Sequence, residues 1–154
     1  MPLISVARTI QAPPEVVFQA VTDIGNLPAT NPEILRVEFL SEQRAGAGAR
    51  FRETRLMGRK EMDTELEMTE FSPPISARMV SDQGGTVWDT TFVVQPSSSG
   101  AELQIHMDAR AHRLLAKIMN PLLQGLYRKG LQKHLDAVAA YCEGAPLKAR
   151  EKRD

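Results

Sequence analysis

Hydrophobic spacing divides the chain into three stretches of different period. From Leu3 to Ala12 the residues Ile4, Val6 and Ile10 alternate with Ser5, Ala7 and Thr9, which predicts a strand. Ala12-Pro13-Pro14-Glu15 ends it. Pro14 and Glu15 suit the first turn of a helix, where proline loses no hydrogen bond and a carboxylate meets the positive end of the dipole. That helix carries Val16, Val17, Ala20 and Val21 and ends near Asp23. The turn-rich segment from Asp23 to Pro32 has room for one further short helix.

From Ile34 the period becomes two, and strands are predicted at about 34–42, 49–57, 60–71, 75–82, 86–95 and 101–110. Gly46 and Gly48, Gly58, Ser72-Pro73-Pro74, Gly84-Gly85 and the serine-rich run from Pro96 to Gly100 separate them. Separators this short join antiparallel neighbours in a meander. Met62, Thr64, Leu66 and Met68 oppose Glu61, Asp63, Glu65 and Glu67, and Leu103, Ile105, Met107 and Ala109 oppose Glu102, Gln104, His106, Asp108 and Arg110. Such alternation belongs to a sheet with one wet face. Trp88 and Phe92 mark the inner side of 86–95. In 49–57 either face carries charge: Phe51, Glu53, Arg55 and Met57 on one, Arg50, Arg52, Thr54 and Leu56 on the other.

The third stretch, His112 to Glu143, has sustained helical periodicity. Leu115, Met119, Leu122, Leu126, Gly130, His134, Val138 and Tyr141 follow at three- or four-residue steps and are expected to form its buried face. Lys117, Gln124, Arg128 and Gln132 take much of the opposite one. A helix this long needs an apolar partner, which the preceding strands supply, so the fold class is α+β. Pro121 is expected to kink or restart the helix and open an entrance lined by Leu114, Ile118 and Met119. Gly130 is expected to admit a close strand or leave space.

Composition narrows the function classes. The chain of 154 residues is expected to form one domain over 1–145, followed by a polar charged tail at 146–154. Lysine plus arginine and aspartate plus glutamate both count 19, so there is no basic surplus for nucleic acid. The single cysteine, Cys142, excludes an intramolecular disulfide. No apolar run approaches the length of a membrane span, and the expected location is cytoplasmic. Three scattered histidines form no metal motif. No phosphate loop, dinucleotide fingerprint or nucleophile elbow is present, so neither a metal nor an organic cofactor is expected. No feature specifies an oligomeric state.

Several local motifs occur together. Ala12-Pro13-Pro14-Glu15-Val16-Val17-Phe18 opens the first helix, and Asn31-Pro32 precedes the second strand. Gly46-Ala47-Gly48-Ala49-Arg50-Phe51 leads into the third, Glu67 to Pro74 closes the fourth, and Ser99-Gly100-Ala101-Glu102 turns into the last. With the element order, this resembles the START and polyketide-cyclase (SRPBCC) superfamily from about Leu3 to Glu143. The resemblance implies a helix-grip fold: a curved antiparallel sheet of about seven strands wrapped around the C-terminal helix, with an apolar cavity between them. It also implies a small apolar ligand, such as a lipid or polyketide, and in some members cyclase or dehydratase activity.

Candidate site residues follow. The expected ligand contacts are Met62, Leu66, Met68, Met79, Trp88, Phe92, Met107, Met119, Leu122, Leu126 and His134. His134 would be a polar handle in the apolar stripe, since an unpaired buried polar group costs about 1–3 kcal/mol. Glu53, Arg55 and His134 are the catalytic candidates, because charges facing inward must pair with each other or with a ligand. His106 and Asp108 share one side of a strand and form a second acid–base candidate. The readings are a binder of a small apolar molecule, a cyclase or dehydratase, and a groove for a partner's apolar segment.

Overall fold

The structure is a computed structural model that describes residues 3–153, with side chains described for 4–144. The side chains of the predicted 146–154 tail lie outside the described residues. Strand β1 (Leu3–Ile10) leads to helix α1 (Pro14–Thr22), a single 3₁₀ turn (Ile24–Asn26) and the short helix α2 (Leu27–Thr30). Strands β2 (Ile34–Phe39), β3 (Arg50–Met57), β4 (Lys60–Ser72), β5 (Ser76–Gln83), β6 (Thr86–Ser97) and β7 (Gly100–Ala111) follow, then helix α3 (Leu114–Arg153). The element order matches the periodicity, with strand ends within a few residues of those expected.

The seven strands form one antiparallel sheet in the order β1-β7-β6-β5-β4-β3-β2. Strand β1 forms one edge of the sheet beside β7, with Ile4 opposite Met107 and Ile10 opposite Ala101, and β2 forms the other edge. Register irregularities between Ile34 and Arg36 and between Met68 and Glu70 mark bulges that add local bend and twist. Along β7 every second residue from Ala101 to Ala109 is buried, which defines the inner, concave face. On the outer face Asp89 is buried between Arg78 and Arg110. Hydrogen bonds from Arg78, chiefly, hold its carboxyl below the usual carboxylate range.

Helix α3 lies over β1 and β7 rather than the middle of the sheet, and α1 and α2 pack against it. This position corrects the expected helix face. Leu115, Leu122 and Leu126 are exposed, Leu122 to 74% and Leu126 to 62%. The face against the sheet is turned by part of a turn and carries Ala116, Asn120, Leu123, Tyr127, Leu131, Leu135, Val138 and Cys142. Gly130 is exposed too, and a Cβ there would meet nothing within 4 Å, so it admits no close strand. The helix continues unbroken through Pro121 and does not restart there.

The continuous core sits at the end of the sheet where α1 and α2 close against α3. Val17, Phe18, Val21, Ile24 and Leu27 meet Leu103, Ile105, Leu135, Val138 and Cys142 there. Truncating a fully buried member such as Leu135 to alanine is expected to cost about 2–5 kcal/mol. The other end, beyond the reach of α1 and α2, is where the concave face stays open.

Candidate ligand groove

Phe51 is fully buried and fixes the register of β3, opposite Phe39 on β2 and Leu66 on β4. The two-residue period then turns Glu53 and Arg55 inward, which resolves the two-sided ambiguity of this strand. Glu53 is buried, and Arg55 Nη2 donates to its Oε1 at 3.1 Å. Arg55 Nη1 also lies 3.9 Å from Glu33 Oε2, and Lys133 Nζ of α3 lies 2.7 Å from Glu33 Oε1. A chain of four charges therefore ties α3 to the edge of the sheet. Glu33 and Lys133 carry no sequence signal of this role, since one sits in a loop and the other is one lysine among many on a polar helix face.

His134 follows Lys133 and meets Phe92 of β6 edge to face, with ring centroids 6.1 Å apart. Its Nε2 is sealed from solvent and has no hydrogen-bond partner. Burial pushes its pKa down to about 4; nearby Arg55 acts in the same direction and Glu33 opposes it. The imidazole is therefore neutral near pH 7. A second unpaired polar atom, Ser81 Oγ, lies on the inner face of β5, where Ser81 pairs with Trp88. Among the described residues, these are the two buried side-chain polar atoms on the concave face without a hydrogen-bond partner.

Midway along its sheet-facing side, α3 is bridged to β6. Asn120 Nδ2 donates to Thr86 Oγ1 at 3.0 Å, Tyr127 donates its hydroxyl to Asn120 Oδ1 at 3.2 Å, and the Trp88 and Tyr127 rings meet at 4.9 Å. This bridge splits the space under the helix. On the β1 side is a cavity of about 260 Å³ lined by Ile4, Ala109, Ala111, Asn120, Pro121 and Gln124 among others. The gap expected near Pro121 exists, but it opens away from Leu114, Ile118 and Met119. It is smaller than the ~300–1,000 Å³ usual for a ligand pocket.

On the other side the concave face is open. At about 100° per residue, Met119, Leu122 and Leu126 fall on the same flank of α3 as Lys133. The Lys133–Glu33 pair shows that this flank looks across towards β2 and β3. From the sheet, Met57 and Met62 are exposed and Leu66 is half-buried on the same inner face. Exposed apolar side chains therefore border the space between the helix flank and strands β3 and β4, the candidate groove, with His134, Arg55 and Glu53 beside it.

Of the expected contacts, Met62, Leu66, Trp88, Met119, Leu122, Leu126 and His134 border this groove or the bridge. Met68, Met79 and Phe92 belong to the packed core, and Met107 is buried beneath α3 beside it. Glu53, Arg55 and His134 do come together. His106 and Asp108 do not: His106 bonds Ser5 and Gln104 on the outer face, while Asp108 pairs with Arg110. His112 is exposed at the strand–helix junction and lies 2.8 Å from Asp82. Among the described residues no cluster of metal-ligating side chains occurs, and no helix is long and apolar enough to cross a membrane.

The fold and groove together define a helix-grip protein. Residues 1–143 match the family described as polyketide cyclase / dehydrase and lipid transport, and the chain belongs to that family. Among solved structures it is similar to TTHA0849 from Thermus thermophilus, with 21% identity, a TM-score of 0.76, and coverage of 94% of this chain and 99% of that one. It is also similar to a START superfamily protein from Mycobacterium smegmatis, with 16% identity, a TM-score of 0.77 and coverage of 93% and 98%. A third similar structure is norcoclaurine synthase from Thalictrum flavum in complex with dopamine and hydroxybenzaldehyde, with 15% identity, a TM-score of 0.68 and coverage of 90% and 84%. A search of curated proteins gave no match.

Proposed function

We propose that this protein binds a small apolar molecule, a lipid or polyketide in kind, in the groove between α3 and strands β3 to β5, acting in the cytoplasm. The observation that carries this reading is the sealed, unpartnered Nε2 of His134 at the inner end of an otherwise apolar groove. Neutral imidazole presents Nε2 as an acceptor or a donor according to its tautomer. A hydroxyl on the ligand would satisfy either once the side chains that seal Nε2 move aside. The body of the ligand would supply affinity by burying Met62, Leu66, Met119, Leu122 and Leu126, while His134 fixes its orientation.

Binding without turnover fits the site better than cyclase or dehydratase chemistry. An acid–base catalyst works best with a pKa near the working pH. His134 is far below that, at about 4, and Glu53 is held in an ion pair with Arg55. The test is native mass spectrometry of the purified protein, followed by titration with 1-anilinonaphthalene-8-sulfonate and displacement by long-chain alcohols. Displacement by the alcohol, but not by an alkane of equal length, supports the reading. No dye binding at all, and no co-purifying mass, would overturn it.

A further inference from the structure

The open end of the groove has a rim that carries cations the ligand site does not use. Strand directions bring three connections to this end: the β3–β4 turn around Gly58, the β5–β6 turn at Gly84-Gly85, and the β7–α3 junction at His112-Arg113. The last two are joined, since the backbone N–H groups of His112 and Arg113 both donate to Gly85 O, at 2.8 and 3.2 Å. Gly85 has φ of +85°, and a Cβ there would sit 2.8 Å from the Arg113 side chain, so glycine lets Arg113 lie across the turn.

Six apolar side chains stand exposed on this rim: Leu56, Met57, Met62, Leu114, Leu115 and Ile118. Among them are four cations, Arg59, Lys60, Arg113 and Lys117, and among the described residues none of the four is in an ion pair. Of the carboxylates near the rim, Glu61 pairs with Arg36 at 2.9 Å, and Asp82 lies 2.8 Å from His112 Nε2, which balances its charge only when protonated. A chain of zero formal net charge therefore places four unpaired cations beside six exposed apolar side chains at this end. A second copy of the same rim would set cation against cation. A surface that is both anionic and apolar complements it: apolar residues enter the headgroup–acyl boundary while lysine and arginine hold the headgroups.

We propose that this rim docks the protein, peripherally and reversibly, on a lipid bilayer that contains anionic headgroups. The groove would then open onto the membrane surface, so an apolar ligand could pass between bilayer and protein without crossing water. Docking itself does not rest on the ligand reading, because it needs only the rim.

The test is flotation of the full-length, ligand-free protein with vesicles of phosphatidylcholine alone or of equal parts phosphatidylcholine and phosphatidylglycerol. The expected result is co-flotation with the anionic vesicles only, weakened by salt. The pair Arg59→Ala/Lys60→Ala should lower partitioning by about fivefold for each cation removed. Leu114→Ser/Leu115→Ser should lower it without moving the melting temperature, since both side chains are exposed. Arg44→Ala/Arg50→Ala, at the opposite end of β3, should leave it unchanged. Absence of wild-type flotation, or an equal loss in the Arg44/Arg50 control, overturns the proposal. So does a concentration-dependent dimer that Leu114→Ser/Leu115→Ser abolishes, which would assign the rim to a second copy. Dye binding in the groove is measured separately, so failure of docking and failure of ligand binding remain distinguishable.

Discussion

Trp88 of the sheet meets Tyr127 of the long helix edge to face at 4.9 Å, and this one contact decides which space under the helix is available. Tyr127 also donates to Asn120, which donates to Thr86, so the bridge is held by polar bonds at its outer end and an aromatic contact at its inner one. On the β1 side the space is small, about 260 Å³. On the β3 side it is open, apolar and ends at His134.

Removing the indole should join the two spaces. Trp88→Ala is expected to cost about 2–3 kcal/mol, below the range for a fully buried indole because Trp88 is half-buried. It should also raise affinity for longer acyl chains relative to shorter ones. Tyr127→Phe keeps the ring and loses one hydrogen bond, at about 1 kcal/mol, with no change in chain-length preference. Dye displacement by a series of fatty alcohols reads both effects, and an unchanged length profile in Trp88→Ala would refute the partition.

The pair of Glu53 and Arg55 should respond asymmetrically to mutation. Glu53 is the more enclosed partner, with 10% side-chain exposure against 27% for Arg55. Arg55→Leu leaves a buried carboxylate without a cation and should cost about 3 kcal/mol. Glu53→Leu leaves a guanidinium that is closer to water and still has Glu33 nearby, so about 1 kcal/mol is expected. The double variant should be no worse than Glu53→Leu. Denaturant unfolding of the three variants tests this ordering, and equal single losses would contradict it.

What the sequence made legible depended on how many residues shared each signal. The strands and helices were readable because period two and period 3.6 repeat over many positions, and Gly58 and Gly84-Gly85 punctuate them. The inward turn of Glu53 and Arg55 was not, because Phe51 and Leu56 put an apolar residue on each face of β3; only pairing with Phe39 and Leu66 decides it. The helix face was misread for a related reason. Leu115, Leu122 and Leu126 are as apolar as any core residue, and periodicity cannot tell a stripe that meets a sheet from one that borders an open groove. The true sheet-facing side includes Asn120 and Tyr127, whose polar atoms are satisfied by Thr86 and by each other, and a hydrophobicity pattern discounts such residues.

That misread stripe gives a clean separation of stability from binding. A serine at Leu122 or Leu126 removes an apolar side chain that is already mostly in water, so the change in unfolding free energy should stay within about 0.5 kcal/mol. Affinity for a long-chain alcohol should nevertheless fall several-fold, since the proposed ligand would bury that flank. Leu135→Ser, deeper in the core, should do the reverse and destabilise strongly. A thermal melt beside a dye titration distinguishes the outcomes, and wild-type affinity in both flank variants would exclude this side of the helix as a wall of the site.

His134 should leave a signature in the acid stability of the protein. Its folded pKa is lowered to about 4 from an ordinary value of 6.5. Below pH 6.5 the unfolded chain takes up a proton that the folded chain does not accept until about pH 4. Stability from the buried neutral ring is thus fully present above pH 6.5 and is lost progressively as pH falls towards 4. Integrated over that interval the loss is about 3 kcal/mol. His134→Phe keeps an aromatic ring against Phe92 and cannot titrate, so its stability should fall less over the same window. Carboxylates remote from the ring contribute equally to both proteins, so the difference between the two pH profiles reports the imidazole and its coupling to Glu33. Parallel profiles would mean that the ring reaches water in the folded state, and the case for Nε2 as the ligand's sealed partner would go with it. If the profiles diverge as expected, affinity for an uncharged alcohol should stay flat between about pH 5.5 and 8, because the group that meets its hydroxyl is neutral throughout.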